Sequence, residues 1–242
     1  MATIGGINSA KVGLVLALDA GNPSSYISGS STYTNLSRGN IITTATLTNQ
    51  NSTITIPQYT SENLGVLNFN GTGSVISVLS NPSTSGFWPI NQFSLEAWFK
   101  SPGTGSRQIG GGGIFGFTYG IRCFLPPTTG NVRFTVSSTT SSAVIITDTS
   151  KNYFDNQWHH VVAVNNGVSS SLYVDGTLKT SAAAPWNGTS PWPTNGLNVG
   201  RDNNDVSYYF SGSIGPVRVY NTPLTTTEIQ QNYNAMRGRF GI

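Results

Sequence analysis

The amino-acid sequence predicts an all-β fold, an antiparallel two-sheet sandwich closed by one short helix at about residues 225–237. Short apolar or alternating runs recur along the chain between clusters of Gly, Pro, Asn, Ser and Thr, which is the pattern of strands joined by tight turns. Charged residues make up only 9% of the chain, against roughly 25% in ordinary domains. This composition disfavours long, solvent-exposed helices.

The domain organisation is predicted to be simple. Residues 1–11 are polar and small, and we interpret them as a loose N-terminal arm. The first strand, Gly13–Leu18, is apolar almost throughout, as expected for a strand covered on both faces. Residues 24–58 give only short Thr/Ile alternations. Because no linker, charge block or repeat follows, we expect residues 12–242 to form a single domain.

The central strands are clearer. Phe93–Lys100 alternates, so that Phe93, Leu95, Ala97 and Phe99 share one face. Ile114–Leu125 is predicted to be one strand, and the four glycines before it, Gly110–Gly113, are predicted to be a loop. Asp175-Gly176 joins two further strands, and this dipeptide is typical of a type I′ hairpin turn.

The helix is predicted from its end signals. Thr225 and Glu228 have the spacing of a capping box, and Leu224 and Ile229 have that of a hydrophobic staple. A cation followed by glycine, Arg237-Gly238, is a suitable stop. The sequence therefore predicts that an amphipathic helix lies against the sandwich.

Several classes of function find little support. The net charge of +3 comes from few acids and not from a basic run, so nucleic-acid binding is not expected. The longest apolar run, Val12–Leu18, is too short to span a membrane. Cys123 is the only cysteine, so no intrachain disulfide can form, and its apolar surroundings predict a buried thiol.

An ordered series of motifs resembles the concanavalin A-like lectin/laminin-G superfamily. The motifs are Phe93–Trp98, Trp158–Val162, Ser171–Gly176, Leu197–Gly200 and Phe210–Tyr220. The resemblance covers about residues 65–236 and implies a concanavalin A-like jelly-roll sandwich.

The two ends carry a narrower resemblance. Gly13–Tyr26 and Ile229–Gly241 are similar to laminin-G-like structural proteins of tailed bacteriophages, in particular marine and cyanobacterial myoviruses. This resemblance implies a virion component. Many extracellular relatives carry an acidic residue where this chain has Gly215-Pro216, which disfavours a eukaryotic adhesion role.

Jelly rolls of this kind include glucanases, which makes glycoside hydrolysis the first candidate activity. Glycoside hydrolysis needs two carboxylates about 5–9 Å apart, and the family's Glu-x-Asp-x-x-Glu motif does not occur. Glu228 belongs to the helix cap, Glu62 lies in a turn, and Glu96 is followed two residues later by Trp98. We therefore expect no enzymatic activity and no cofactor.

The adjacent histidines His159 and His160 would point to opposite faces of a strand, so they cannot act together. They are predicted to be hydrogen-bonded sheet residues. Calcium is the one metal with a candidate site, since Asp202, Asn203 and Asp205 place oxygen ligands in one loop. The same residues are also ordinary turn formers.

Exposed aromatic residues beside amides would suit a sugar. The candidates are Trp186 and Trp192, with Asn187 between them, and Trp88. These rings could equally close the ends of the sandwich or contact a neighbouring subunit, and both interpretations stay open.

The leading hypothesis is a non-enzymatic structural protein on a virion surface, a capsid decoration protein that binds the major capsid protein. Residues 1–11 and the tail, with Arg237, Arg239 and Phe240, are the predicted assembly contacts, including any self-association. The alternatives are a tail or fibre adhesin that binds host surface glycans, and a secreted lectin-like domain.

Overall fold

The computed structural model describes residues 10, 12–37, 44–49, 56–78, 92–102, 112–116, 121–126, 128–138, 141–185, 197–201 and 209–242. Strands dominate these residues, as the sequence predicts. The strands are Leu14–Leu18 (β1), Thr32–Thr34 (β2), Thr44–Asn49 (β3), Gln58–Thr60 (β4), Val66–Asn70 (β5), Ser74–Ser77 (β6), Phe93–Lys100 (β7), Gly112–Gly116 (β8), Ile121–Leu125 (β9), Arg133–Ser138 (β10), Ser141–Thr147 (β11), Trp158–Asn165 (β12), Ser169–Val174 (β13), Thr177–Ala183 (β14), Asn198–Val199 (β15) and Ser211–Tyr220 (β16).

The strands form two antiparallel sheets. In sheet 1 the order is β14-β13-β12-β7-β16-β5-β4, and β1 also pairs with β16. In sheet 2 the order is β11-β10-β9-β8-β15-β6-β3-β2. Neighbours in space are often distant in sequence, as in a jelly roll, which confirms the predicted all-β sandwich.

The region of β8 and β9 differs from the prediction. Residues 114–125 do not form one strand, because β8 and β9 are separate strands paired antiparallel, with Gly112 opposite Leu125. Gly112 and Gly113 also belong to β8, whereas a loop was predicted. The register shifts between Gly113 and Phe115, and glycine inside a strand often accompanies such a bulge.

The main core lies between the sheets. Its inward-facing residues are fully or almost fully buried, and sheet 1 contributes the predicted apolar face of β7 (Phe93, Leu95, Ala97 and Phe99). Sheet 2 contributes alternate residues of β9 and β10, among them Ile121, Cys123, Leu125, Phe134 and Val136. Burial raises the pKa of the Cys123 thiol to about 12, so this thiol is inert near neutral pH.

Sheet 1 also buries its outer face, because the C-terminal helix lies on it. Helix α1 spans Thr226–Met236, and the capping box of Thr225 and Glu228 forms as predicted. Leu224 and Ile229 pack with Tyr220 in a second apolar cluster. The α-helix ends at Met236 with Arg237 as its C-cap, as the predicted helix at about residues 225–237 requires. A 3-10 helix over Arg237–Phe240 follows it, and Gly241 takes the left-handed conformation at the end of that helix.

The hairpin turn at Asp175-Gly176 has positive φ at both residues (52° and 72°), as a type I′ turn requires. A shorter 3-10 helix occupies Glu62–Leu64. Ala10, at the end of the predicted arm, is buried, and its backbone N–H donates to Asn232 Oδ1 at 2.7 Å. Ala10, which precedes β1, is therefore held against the helix that covers sheet 1.

Phe240 completes this cover. Its ring stacks on Trp98 with centroids 4.4 Å apart and lies 4.5 Å from the ring of Trp158. Gly215 makes room for it, because a Cβ there would lie 2.9 Å from the Phe240 ring. Gly215 and Pro216 sit at a bulge in β16, where the register with β7 shifts between Ile214 and Val217.

We expect Phe240→Ala to destabilise the protein by about 3–5 kcal/mol, the range for removing a buried aromatic ring. Urea denaturation should show this loss, and tryptophan emission should shift to longer wavelength because water reaches Trp98 and Trp158. The matched control is Ile242→Ala, two residues further on, where the side chain is 40% exposed. Equal stability of the two variants would contradict the packing role.

Candidate functional site

Among the described residues, Glu96 and Arg218 are the charged residues buried on the outer face of sheet 1, and they belong to one network. Glu96 of β7 lies opposite Arg218 of β16, and both side chains are at most 2% exposed. Arg218 Nη1 donates to Glu96 Oε1 at 2.5 Å. The second oxygen, Oε2, accepts from Asn232 Nδ2 at 2.7 Å and from the Tyr220 hydroxyl at 3.1 Å. The helix therefore supplies an amide donor to the carboxylate of a buried ion pair.

This environment fixes the charge on Glu96. Burial by itself would raise the pKa of the carboxyl, but the Arg218 guanidinium, assisted by His160 and Asn232, outweighs burial and lowers the pKa to about 2. Burial raises the pKa of Tyr220, and the negative charge of Glu96 raises it further. A general acid needs a pKa near the working pH, so Glu96 has a structural role.

The remaining described carboxylates also have partners. Glu228 caps the helix, Glu62 pairs with Lys100, and Asp148 accepts from Tyr153 and Ser150. The others are Asp19, which binds Arg239, and Asp155 and Asp175, which contact His159. Each of these described carboxylates is therefore engaged by a partner within the chain's own fold.

The two histidines point to opposite faces, as predicted. His159 Nδ1 lies 2.8 Å from Asp175 Oδ2, and its Nε2 lies 3.2 Å from both oxygens of Asp155. His160 lies beneath the helix, with Nε2 at 3.2 Å from Glu96 Oε1 but without hydrogen-bond geometry. Among the described residues, neither histidine is hydrogen-bonded to a hydroxyl or a thiol, and the partners of His159 are carboxylates.

The predicted assembly contacts in the tail have unequal surroundings. Arg239 donates to Asp19 Oδ2 at 2.8 Å and to the carbonyls of Asn63 and Gly65 at 2.6 and 2.7 Å. Phe240 is buried on sheet 1, whereas Arg237 is exposed. Two of the three residues therefore hold the chain's own fold, and Arg237 is the one whose side chain faces solvent. A role for this tail in assembly stays a prediction.

The other candidate residues lie outside the described residues. They are the calcium loop of Asp202, Asn203 and Asp205 and the aromatic set of Trp88, Trp186, Asn187 and Trp192. Both assignments stay predictions. Among the residues that are described, no group of three His, Cys, Asp or Glu side chains could hold a metal ion. No described helix is long and apolar enough to cross a membrane.

Arg218, Tyr220 and Asn232 were not singled out from the sequence. A signal did exist for the first of them. Glu96 and Arg218 carry opposite charges and each stands between apolar neighbours in its strand, and buried charges are rarely unpaired. Nothing local indicates that Asn232, on the helix, reaches the same carboxylate.

We expect Glu96→Gln to cost about 3–5 kcal/mol near neutral pH, because it leaves Arg218 buried without a counter-charge. The folded-state pKa of about 2 lies below the ordinary value of 4.5, so the ion pair stabilises the protein above about pH 4.5. That contribution is lost as the pH falls towards 2.

Urea denaturation between pH 2 and 7 checks this. The stability difference between wild type and Glu96→Gln should shrink as the pH falls from about 4.5 to about 2. Glu228→Gln is the control, because glutamine preserves the capping box and the change lies outside the buried network. A difference that is constant over this pH range would contradict the assignment.

Comparison with known proteins gives the family. The sequence profile of the concanavalin A-like lectin/glucanases superfamily, in its laminin-G form, matches residues 70–230. No curated protein matches the sequence. Among solved structures, domain 4 of an extracellular arabinanase from Geobacillus stearothermophilus, in complex with arabinotriose, is 17% identical with a TM-score of 0.65. That match covers 93% of this chain and 100% of that domain.

Two toxin domains are also similar. The binding domain of Paraclostridial mosquitocidal protein 1 is 16% identical (TM-score 0.65), and the receptor-binding domain of botulinum neurotoxin type G is 15% identical (TM-score 0.61). The matches cover 92% and 91% of this chain but 52% and 51% of those domains, so the chain spans about half their length. At such identities the likeness shows the fold alone. The profile match covers most of the chain, and the chain therefore belongs to the concanavalin A-like lectin/glucanase superfamily.

Proposed function

We propose that this chain is a non-enzymatic carbohydrate-binding module. The observation that carries the proposal is the fold likeness to the arabinanase domain, which is matched over its whole length and was solved with a bound oligosaccharide. The toxin domains of similar fold are binding domains as well. A lectin-type sandwich suits recognition of a surface glycan.

The state of the carboxylates supports binding over hydrolysis. The one glutamate on the central strands, Glu96, is sealed under helix α1 by Arg218 and Asn232. Sialidases and glucanases share this sandwich, but fold by itself does not fix activity. With each described carboxylate engaged in the chain's own structure, adhesion is the better-supported function.

We further propose that the module is carried on the surface of a bacteriophage virion, as a capsid decoration protein bound to the major capsid protein. The resemblance to phage structural proteins lies in Gly13–Tyr26 and Ile229–Gly241. The ion pair of Asp19 and Arg239 joins these two stretches directly, which supports treating them as one structural unit. A tail or fibre adhesin is the alternative location, and a secreted lectin-like domain is the third.

Glycan binding can be tested on an array of neutral and acidic oligosaccharides. We expect wild type to bind at least one glycan class, and Trp192→Ala to weaken that binding at least tenfold if the predicted aromatic loop contributes (about 1.4 kcal/mol). Arg237→Gln, a change of an exposed residue on the helix side, should leave binding unchanged. A complete lack of glycan binding would contradict the proposed activity.

The location can be tested by quantitative mass spectrometry of purified particles. A decoration protein should be present in hundreds of copies, comparable to the major capsid protein, because it binds every equivalent lattice site. A tail or fibre component would be present in a few to a few dozen copies. Absence of the chain from purified particles would contradict a virion location.

A further inference from the structure

Helix α1 and the 3-10 helix after it leave part of the outer face of sheet 1 open. Val66 and Trp98 lie under this cover, in one apolar cluster with Phe240. Alternate residues of a strand share a face, so the next outward residues along β5 and β7 are Asn68 and Lys100. Asn68 is exposed, and the cover therefore ends between Val66 and Asn68.

The strand register extends this open position into a row across four strands. Asn68 of β5 lies directly opposite Gln58 of β4 on one side and Ser213 of β16 on the other. Ser213 in turn lies opposite Lys100 of β7. We call these four residues the amide row: Gln58, Asn68, Ser213 and Lys100. Because neighbouring strands lie about 4.8 Å apart, the row is about 14 Å long, which is longer than one sugar ring.

Hydrogen bonds within the chain orient the two amides of the row. Asn68 Oδ1 accepts from Ser213 Oγ at 2.6 Å, so the Nδ2 group of Asn68 is the donor that a ligand can use. Gln58 Nε2 donates to the Ile56 carbonyl at 2.7 Å, so the Oε1 atom of Gln58 is the acceptor that a ligand can use. Both side chains belong to exposed residues. The row therefore presents an oriented donor beside an oriented acceptor at the surface.

The charge at one end of the row is neutralised within the chain. Lys100 Nζ forms an ion pair with Glu62, and the two side chains are 19% and 41% exposed. The ammonium also lies 5.4 Å from the centroid of the Trp158 ring. The pair carries no net charge, so a charged ligand would have to displace one of its members. This favours a neutral ligand.

The loop that carries Glu62 is held in a strained conformation beside the row. Asn63 and Leu64 both have positive φ (48° and 64°), which is unfavourable for residues other than glycine. Arg239 Nε donates to the Asn63 carbonyl at 2.6 Å, and Asn63 Nδ2 donates to the Arg239 carbonyl at 2.8 Å. Backbone strain persists only where surrounding contacts hold it, and it is concentrated at functional sites. The strain therefore supports a function for this surface.

We infer that the amide row binds a neutral oligosaccharide through adjacent hydroxyl groups of a sugar ring. A hydroxyl both donates and accepts, so one hydroxyl accepts from Asn68 Nδ2 and its neighbour donates to Gln58 Oε1. Groups that are already oriented lose little conformational entropy on binding, which favours this pairing. The inference rests on the proposed carbohydrate binding and specifies its site and its ligand class.

Titration of the ¹⁵N-labelled full chain, followed by NMR, tests the site in the wild type. The probes are arabinotriose, cellotriose and the acidic trigalacturonate. We expect a neutral probe to shift the side-chain amide signals of Gln58 and Asn68, and to bind at least tenfold more tightly than trigalacturonate. The side-chain amide of Asn166 should not shift, because this exposed residue follows the end of β12 that is far from the row.

Variants test the donor and the acceptor separately. Asn68→Asp keeps the Oδ1 acceptor for Ser213 but removes the Nδ2 donor, and it should weaken binding of the neutral probe at least tenfold. Gln58→Leu removes the acceptor and should have a similar effect. The matched control is Asn166→Asp, which adds the same charge and keeps the Oδ1 acceptor for the backbone of its own turn. It should leave the affinity unchanged, and thermal unfolding checks that each variant is folded.

The outcomes distinguish this site from the broader proposal. Binding that leaves the Gln58 and Asn68 signals unshifted, or that Asn68→Asp weakens no more than Asn166→Asp does, would overturn the amide row and leave carbohydrate binding intact. Failure of both neutral probes to bind, or tighter binding of trigalacturonate, would also overturn it. A lack of binding to every glycan of the array would overturn both proposals.

Discussion

The ion pair of Glu96 and Arg218 is the constraint on which the rest of the fold depends. It lies on the outer face of sheet 1, between two central strands. Taking two charges out of water is costly, and additional hydrogen bonds to the charged groups offset part of that cost. Sheet 1 cannot supply the missing amide by itself, so a further element has to cover this face.

Helix α1 and the 3-10 helix after it provide that cover in two parts. Asn232 brings its amide to the carboxylate and accepts from the backbone of Ala10. Phe240 closes the other end over Trp98 and Trp158, and Arg239 fastens the tail to Asp19 and to the loop at Asn63. The two ends of the described chain are thus held on the same sheet.

The local features of this arrangement could be predicted from the sequence. The capping box, the positions of Leu224 and Ile229 and the hairpin at Asp175-Gly176 depend on residues close together in the chain, and all three are present. The β7 alternation likewise gave the correct core face. These features follow from period and turn chemistry, which act over a few residues.

Long-range features could not be predicted in the same way. The partner of Glu96 is 122 residues away in sequence. From the sequence, Phe240 is expected to be an exposed tail residue, because nothing near it in the chain indicates the space above Gly215. The sequence predicts a loop at the glycines of β8, because glycine weakens an isolated strand. In the fold, pairing with β9 stabilises this strand.

Both sheets leave buried polar atoms without a hydrogen-bond partner. Beneath the helix these include Trp98 Nε1 and Arg218 Nη2, and on sheet 2 they include Thr135 Oγ1 and Arg133 Nε. All of these atoms are enclosed by the chain itself, so each unmade hydrogen bond costs about 1–3 kcal/mol, and more for a charged group. Burial of large apolar side chains, among them Trp98 and Phe240, has to outweigh these costs. The apolar core and the helix cover therefore stabilise the sandwich, and its unsatisfied polar atoms oppose them.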